Sequence, residues 1–198
     1  MDAPDLVGKA LATASEAHRD QRRADGAPYL AHPLKVCELL AHAGADQQTL
    51  AAALLHDAVE DSELGVGDVV ERFGVEIGEL VAALTDDATI ADWGARKDAL
   101  RAQVAEAGPR AAAVFAADKL ANVGEMRALY SRHGEAVIDL HKAPTLDLRI
   151  HAWEQDAEMV ERVAPGLSLV SALRDELAAF RSERMKGIVK RQEAGSRG

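Results

Sequence analysis

The sequence predicts an all-α, single-domain protein of about eight to ten helices. Three observations lead to this class. Aromatic residues make up only 4% of the 198 residues, so Ala, Leu and Val must build most of the core, and Ala and Leu favour helix. Apolar residues recur at three- and four-residue spacing and do not alternate. Glycines and prolines fall between these segments, where helices end, at Gly44, Gly74, Gly108-Pro109, Gly134 and Pro165-Gly166.

Nine helical segments follow from these patterns. Several of them, such as 4–20, 75–84 and 145–163, have an apolar face, as expected for a helix that packs on a core. We predict helices at residues 4–20, 33–43, 47–60, 66–73, 75–84, 92–107, 110–132, 145–163 and 168–185.

Capping and turn residues set the ends of the first three helices. Pro4 suits a first helical turn, Gly44 ends the second helix and Asp46 is an N-cap for the third. Pro33 restricts the preceding residue to an extended backbone. We therefore expect His32 just before the second helix, where it can point into a cleft.

Glycine and proline also separate the later helices. Gly74 divides two short helices, and Gly108-Pro109 is a strong stop signal. The run 111–117 is rich in alanine, which is depleted in strands, so it predicts a helix. His133-Gly134 ends this helix, and Pro165-Gly166 ends the next one.

Composition limits where the protein works and what it binds. The formal net charge of −10 argues against a nucleic-acid-binding surface, and the one cysteine, Cys37, excludes an internal disulfide. No apolar run approaches the ~18 residues that span a membrane, and the N-terminus lacks a signal pattern. We expect a cytoplasmic protein with no nucleic-acid or membrane partner; a homodimer remains open.

A polar cluster, His56-Asp57-Ala58-Val59-Glu60-Asp61, follows the apolar run 50–55. If both lie on one helix, the imidazole and the three carboxylates share a polar sector. Three acids this close repel each other unless a positive charge lies among them. A divalent metal is the simplest candidate.

A second polar cluster follows the apolar run 111–117. Asp118 and Asn122 lie four residues apart and therefore share a helix face. Histidine nitrogen and aspartate oxygen together suit Mn²⁺, Fe²⁺ or Zn²⁺. Water bound to such a metal becomes a better nucleophile as its pKa falls, and a free carboxylate, Glu60 or Asp61, can orient it or take its proton.

These motifs resemble the HD-domain metal-dependent phosphohydrolases. The resemblance narrows to the hydrolase domain of the RelA/SpoT alarmone enzymes and the stand-alone small alarmone hydrolases. It runs from about residue 10 to 125 and implies an HD-domain helical bundle. We take residues 1–185 as the domain, and residues 186–198, which are basic and then small and polar, as a flexible tail. The segments that carry it are 28–34, 54–62, 73–74 and 117–122.

The resemblance implies a set of site residues. His32, His56, Asp57 and Asp118 would bind Mn²⁺, and Glu60 and Asp61 would activate the attacking water. Among substrate contacts, Arg23 would lie against the guanine base, Asn122 would contact the nucleotide, and Arg96 and Lys97 would lie near the phosphates. The implied reaction is hydrolysis of the 3′-pyrophosphate of (p)ppGpp to GDP or GTP and pyrophosphate.

The sequence departs from the family pattern just after Asp118. The family arginine is Gly124 here, and a threonine near the nucleotide is Glu125. Two other hypotheses therefore stay open. One is an HD-domain phosphohydrolase that acts on another nucleotide or phosphate ester, for instance a phosphorylated dinucleotide. The other is a non-catalytic nucleotide-binding module with a vestigial centre.

Overall fold

Ten α-helices and one 3₁₀ helix make up the computed structural model, which describes residues 5–140 and 143–195. Within these residues the predicted all-α class of about eight to ten helices is confirmed. The α-helices are α1 (Leu6–Ala17), α2 (Ala31–His42), α3 (Gln47–Leu55), α4 (Ala58–Asp61), α5 (Val66–Phe73), α6 (Val75–Leu84), α7 (Trp93–Ala107), α8 (Pro109–His133), α9 (Leu146–Val163) and α10 (Ser168–Gly195), and the 3₁₀ helix is Gly134–Leu140.

Short polar side chains begin several helices. Asp46 accepts a hydrogen bond of 2.8 Å from the backbone N–H of Thr49, as predicted, and Asp92 accepts one of 2.8 Å from Ala95. Each satisfies an amide that has no partner inside the helix. Gly108, with φ of 90°, separates α7 from α8, because glycine adopts this left-handed backbone without steric cost.

Two hydrophobic clusters form the core, and α8 runs through both. The first contains the buried runs 51–55 of α3 and 114–117 of α8. The second joins Met126 of α8 to Trp153 of α9 and Phe180 of α10. The polar residues Asp118, Lys119 and Asn122 lie between the two clusters along α8. The candidate site residues Asp118 and Asn122 therefore sit on a long helix that both cores hold in place.

Two errors in the predicted helix bounds concern candidate site residues, and a third is that α1 ends at Ala17 and not at residue 20. Helix α2 begins at Ala31, so His32 lies in its first turn. Pro33 is tolerated there because first-turn amides lack helical partners anyway. The predicted helix 47–60 is interrupted at Asp57, whose ψ of −12° departs from the helical value and separates α3 from α4. His56 and Glu60 therefore do not share one continuous helix.

The last helix also differs from the prediction. Helix α10 continues to Gly195, beyond residue 185 where we placed its end. Residues 186–195 contain no proline, so nothing blocks the backbone hydrogen bonds of the helix. Predictions on Pro4 and on the tail residues 196–198 lie outside the described part of the chain. In that part, no helix combines the length and apolar character needed to cross a membrane.

Candidate functional site

Three side chains from distant parts of the chain converge at the junction of the two cores. Among the described residues, His32, His56 and Asp118 offer ligand atoms that all lie within 4.8 Å of one another. His32 Nε2 is 3.0 Å from Asp118 Oδ1, and His56 Nε2 is 3.7 Å from the same oxygen. All three residues are buried. Two imidazole nitrogens and a carboxylate oxygen at this spacing could hold a divalent cation.

The orientation of His56 fits metal binding. Its Nδ1 lies 2.7 Å from the carbonyl oxygen of Ala53, which can only accept, so Nδ1 carries the hydrogen. Nε2 then presents a lone pair toward the carboxylates. This buried nitrogen makes no hydrogen bond to any described residue. A histidine whose other ring nitrogen is tied to a carbonyl is the usual arrangement of a metal ligand.

Asp57 lies beside this group. Its Oδ1 is 3.2 Å from His56 Nε2, and its Oδ2 is 3.6 Å from His32 Nε2. Burial opposes ionisation of Asp57, but His56 and His32 outweigh it and hold the pKa of the carboxyl below its usual range. Tyr29 donates a hydrogen bond of 2.8 Å to Oδ2. Asp57 is therefore an ionised carboxylate that could complete the ligand set predicted for it.

The site has a strongly negative local potential. Burial disfavours protonation of His56, yet the charges of Asp57 and Asp118 outweigh burial and raise the pKa of His56 to about 9. A proton and a metal ion compete for the same Nε2 lone pair. Lys119 donates to Asp118 Oδ2 at 2.6 Å, and although burial acts in the other direction, this ammonium helps to lower the pKa of Asp118.

The two predicted water-activating acids line the adjoining cavity. Glu60 accepts a hydrogen bond from the backbone N–H of Asp86. Burial raises the pKa of Glu60, and the charges of Asp57 and Asp86 add to this effect. Asp61 is held differently, because its backbone carbonyl accepts a hydrogen bond from the side chain of Gln21. Glu60 is therefore a carboxyl group that can exchange a proton at a higher pH than a glutamate free in solution.

The cavity has a volume of about 390 Å³ and carries balanced charge. Six cationic and six acidic side chains line it, although the chain as a whole has a net charge of −10. A bound divalent cation would make the cavity positive overall. The lining cations are Arg22, Arg23, Arg96, Lys97, Lys119 and Arg149, and the acids are Asp57, Glu60, Asp61, Asp86, Asp118 and Glu125.

The four residues predicted to contact substrate all line this cavity. Arg96 and Lys97 share one carboxylate, Asp86: Arg96 Nε lies 3.6 Å from it, and Lys97 donates to it. Asn122 bridges two site residues, because its amide donates to Asp118 Oδ1 at 2.6 Å and its Oδ1 accepts from Arg23 at 3.2 Å. The first role that the structure gives Asn122 is thus to orient Asp118.

Sequence reasoning missed Arg149. Its guanidinium carbon lies 4.9 Å from the ring centroid of Trp153 and 6.0 Å from that of Trp93. Burial lowers the pKa of Arg149, and its buried Nε makes no hydrogen bond to any described residue. The spacing of Arg149 and Trp153 could have signalled this pair, since residues four apart share a helix face.

His18 also received no role from the sequence. It is buried, stacks on Tyr29 with ring centroids 4.7 Å apart, and its Nδ1 lies 2.8 Å from Gln21 Oε1. Tyr29 in turn reaches Asp57. His18, which directly follows α1, therefore packs against the tyrosine that holds Asp57. Its spacing of three residues from Gln21 is the signal that the sequence contained.

The two departures from the family pattern fall in different places. Glu125 lines the cavity and pairs with Arg23. Gly124 lines a neighbouring groove, and a Cβ built there would meet Glu176 of α10 at 3.8 Å. Gly124 and Glu125 therefore lie on different surfaces, and only Glu125 faces the candidate active site.

Comparisons with known proteins agree with this architecture. The HD-domain family model matches residues 10–143. A probable GTP pyrophosphokinase of Mycobacterium leprae is 38% identical over 127 residues, which are 63% of this chain and 16% of that protein. A GTP pyrophosphokinase rsh of Brucella melitensis is 45% identical over 80 residues, which are 40% of this chain and 11% of that protein. The chain thus spans a small part of the curated relatives that it matches.

Two solved structures cover far more of the chain. A protein described as a metazoan orthologue of SpoT that hydrolyses ppGpp aligns with a TM-score of 0.68 and 26% identity, over 93% of this chain and 98% of that one. The protein lmo0812 of Listeria monocytogenes aligns with a TM-score of 0.67 and 30% identity, over 77% and 97% of the two chains. The resemblance predicted from the motifs is confirmed, and the chain belongs to the HD-domain family.

Proposed function

We propose that this chain is a metal-dependent phosphohydrolase that removes the 3′-pyrophosphate of (p)ppGpp, giving GDP or GTP and pyrophosphate. One observation carries the proposal: a His–His–Asp group opens onto a cavity that also presents six cationic side chains. The relative described as hydrolysing ppGpp shares this fold over 93% of the chain. That likeness supports the substrate, and the geometry supports the chemistry.

His32, His56, Asp57 and Asp118 would hold the metal. Mixed nitrogen and carboxylate ligands suit Mn²⁺, with Fe²⁺ and Zn²⁺ as alternatives. When bound, such a cation lowers the pKa of water and offsets negative charge on a phosphate oxygen. The buried, unpartnered Nε2 of His56 is the feature that this assignment explains best.

Glu60 and Asp61 would orient the attacking water and accept its proton. Glu60 faces the cavity and has a raised pKa, which suits a general base that works near neutral pH. In the proposed reaction the water oxygen bonds to the phosphorus next to the 3′ oxygen, and the bond between that phosphorus and the 3′ oxygen breaks. Glu60 accepts the water proton, and the departing 3′ oxygen takes up a proton to become the hydroxyl of the product.

The lining cations would hold the phosphates. Arg149 is the best placed, because its Nε makes no hydrogen bond to a described residue and its ring contacts fix the guanidinium plane. Lys119 and Lys97 already contact Asp118 and Asp86, so each could bridge a carboxylate and a phosphate oxygen. Local attraction of this kind lets a polyphosphate bind although the net charge of the chain is −10.

A nucleotide panel tests the proposal. Purified protein is incubated with ppGpp, pppGpp, other nucleotides and phosphorylated dinucleotides, with added Mn²⁺ and with chelator. We expect pyrophosphate release from (p)ppGpp well above all other substrates, lost with chelator and in Asp57→Ala. Asp175→Ala removes an exposed acid on α10 and serves as the control. Full activity of folded Asp57→Ala would overturn the proposal.

Glu125 on the cavity wall favours a second candidate, hydrolysis of another nucleotide or phosphate ester. A carboxylate where relatives have a threonine changes the hydrogen-bonding surface that the substrate meets. Preferred turnover of another member of the panel would select this candidate. If purified protein neither contains metal nor binds added Mn²⁺, the non-catalytic hypothesis replaces both.

A further inference from the structure

Arg23 and Glu125 form a closed pair across 102 positions of the chain. Arg23 Nε donates to Glu125 Oε1 at 3.0 Å, and Nη2 contacts Oε2 of the same carboxylate. Nη2 also donates to Asn122 Oδ1 at 3.2 Å, and the guanidinium carbon lies 5.3 Å from the centroid of the Tyr29 ring. The side chains of the pair are only 14% and 19% exposed. The guanidinium is therefore held in one orientation, and a carboxylate offsets its charge.

The part of the cavity wall formed by Arg96, Lys97 and Arg149 differs in charge compensation. Arg96 and Lys97 share the single carboxylate of Asp86, and Nε of Arg149 makes no hydrogen bond to any described residue. Positive charge on this wall exceeds the carboxylates that contact it. Anionic groups should therefore settle against Arg149 and Lys97, and should gain less from Arg23.

Apolar surface also borders the Arg23–Glu125 pair. A groove of about 520 Å³ is lined by both residues of the pair, by Asp25, Lys35 and Glu176, and by small and aliphatic side chains, including Ala31, Leu39, Leu120 and Ala121. Such a surface favours an uncharged, flat group over a phosphate. The phosphates of the substrate can therefore meet the cationic wall, and its uncharged nucleoside end can meet the apolar surface.

We propose that Glu125 is a positioning residue: by neutralising Arg23 and holding its guanidinium flat, it directs the uncharged nucleoside end of the substrate to Arg23 and the phosphates to the Arg149 wall. This deepens the proposed function, on which it rests for the nature of the substrate.

The proposal predicts opposite effects on two parts of the substrate. Glu125→Gln keeps the shape of the side chain but removes its charge, which leaves Arg23 uncompensated in the cavity. Inorganic phosphate should then bind at least about threefold more tightly, because a new positive charge faces the cavity. Guanosine should bind at least about threefold more weakly, because the guanidinium is no longer held by two charged contacts.

Equilibrium dialysis measures both effects, with radiolabelled phosphate and guanosine as separate probes and Mn²⁺ present throughout. The matched control is Glu183→Gln. Glu183 accepts a hydrogen bond of 3.2 Å from Arg127 and lines neither the cavity nor the groove, so its change removes the same charge from a surface outside both. Circular dichroism and thermal unfolding check that both variants fold.

Opposite shifts in Glu125→Gln, absent from Glu183→Gln, would support the proposal. Weakening of both probes would reduce Glu125 to a general structural role, and no change, or equal shifts in both variants, would also overturn it. Neither probe is hydrolysed. Opposite shifts in a protein that fails to hydrolyse (p)ppGpp would therefore refute the proposed function and leave the assignment of Glu125 standing.

Discussion

The hydroxyl of Tyr29 donates a hydrogen bond of 2.8 Å to Asp57 Oδ2. Burial raises the pKa of Tyr29, and the charges of Asp57 and Asp61 raise it further, so the phenol stays protonated and remains a donor. Asp57 thereby has one oxygen fixed by the protein, while the other lies 3.2 Å from His56 Nε2. Tyr29 is not itself a predicted ligand, but its hydrogen bond orients Asp57, which is one.

Tyr29→Phe should weaken Mn²⁺ binding about tenfold to a hundredfold, the usual cost of losing a partner that orients a metal ligand. Isothermal titration calorimetry measures the affinity. Tyr130→Phe, the same change at a tyrosine whose hydroxyl contacts Glu135 away from the cavity, is the control. Unchanged Mn²⁺ affinity in Tyr29→Phe would show that Asp57 needs no such partner.

Arg149→Met should raise KM for (p)ppGpp and lower kcat/KM about tenfold to a hundredfold, because a charged hydrogen bond to phosphate is lost. Arg149→Lys should recover part of the loss, since charge remains but the planar guanidinium does not. Mn²⁺ affinity should not change in either variant. Steady-state kinetics at saturating Mn²⁺ test this, with Arg174→Met, an exposed arginine paired with Glu161, as the control. Wild-type kinetics in Arg149→Met would exclude a phosphate role.

Glu60 should determine the acidic limb of the pH–rate profile. A general base acts only when deprotonated, and burial raises the pKa of Glu60. We therefore expect kcat/KM at saturating Mn²⁺ to rise with pH through a value above the ordinary glutamate pKa of about 4.3. Glu60→Gln should lose about a hundredfold to ten-thousandfold in rate and lose this limb. If the acidic limb persists unchanged in the residual activity of Glu60→Gln, the limb reports the titration of another group.

Asp46→Ala should lower the free energy of unfolding by about 1 kcal/mol at pH 7, the typical value of an N-cap. The backbone hydrogen bond from Thr49 lowers the pKa of Asp46. A carboxyl whose pKa is lowered by folding stabilises the native state above its unfolded pKa, and this stabilisation is lost as pH falls through the folded pKa. The difference in unfolding free energy between wild type and Asp46→Ala should therefore become smaller below about pH 4. Urea unfolding at pH 7 and pH 3 measures it, and an equal gap at both values would contradict the N-cap account.

Much of the fold followed from local patterns in the sequence. Helices 66–73 and 75–84 have the predicted bounds, because Gly74 separates two short amphipathic segments. Asp46 caps α3 as predicted, since an N-cap depends only on residues within one turn. The candidate ligands were also recognisable, because polar residues directly after buried runs have no other local explanation.

Contacts that join distant parts of the chain could not be predicted this way. Arg23 meets Glu125 across 102 positions, and Arg149 reaches the cavity from α9, beyond the region that the motifs cover. Which partner such a side chain meets depends on how helices pack and on which face each one turns inward.

The sequence by itself determined the helical class, most helix ends and the identity of the histidines and acids that could bind metal, because these depend on neighbouring residues. Only the tertiary structure decided that α3 and α4 are separate, that His56 Nε2 faces the carboxylates, and that Glu125 faces the cavity while Gly124 does not. The physical reason is that charge compensation and side-chain orientation are set by the packing of α2, α7, α9 and α10 around α8, which no local pattern encodes.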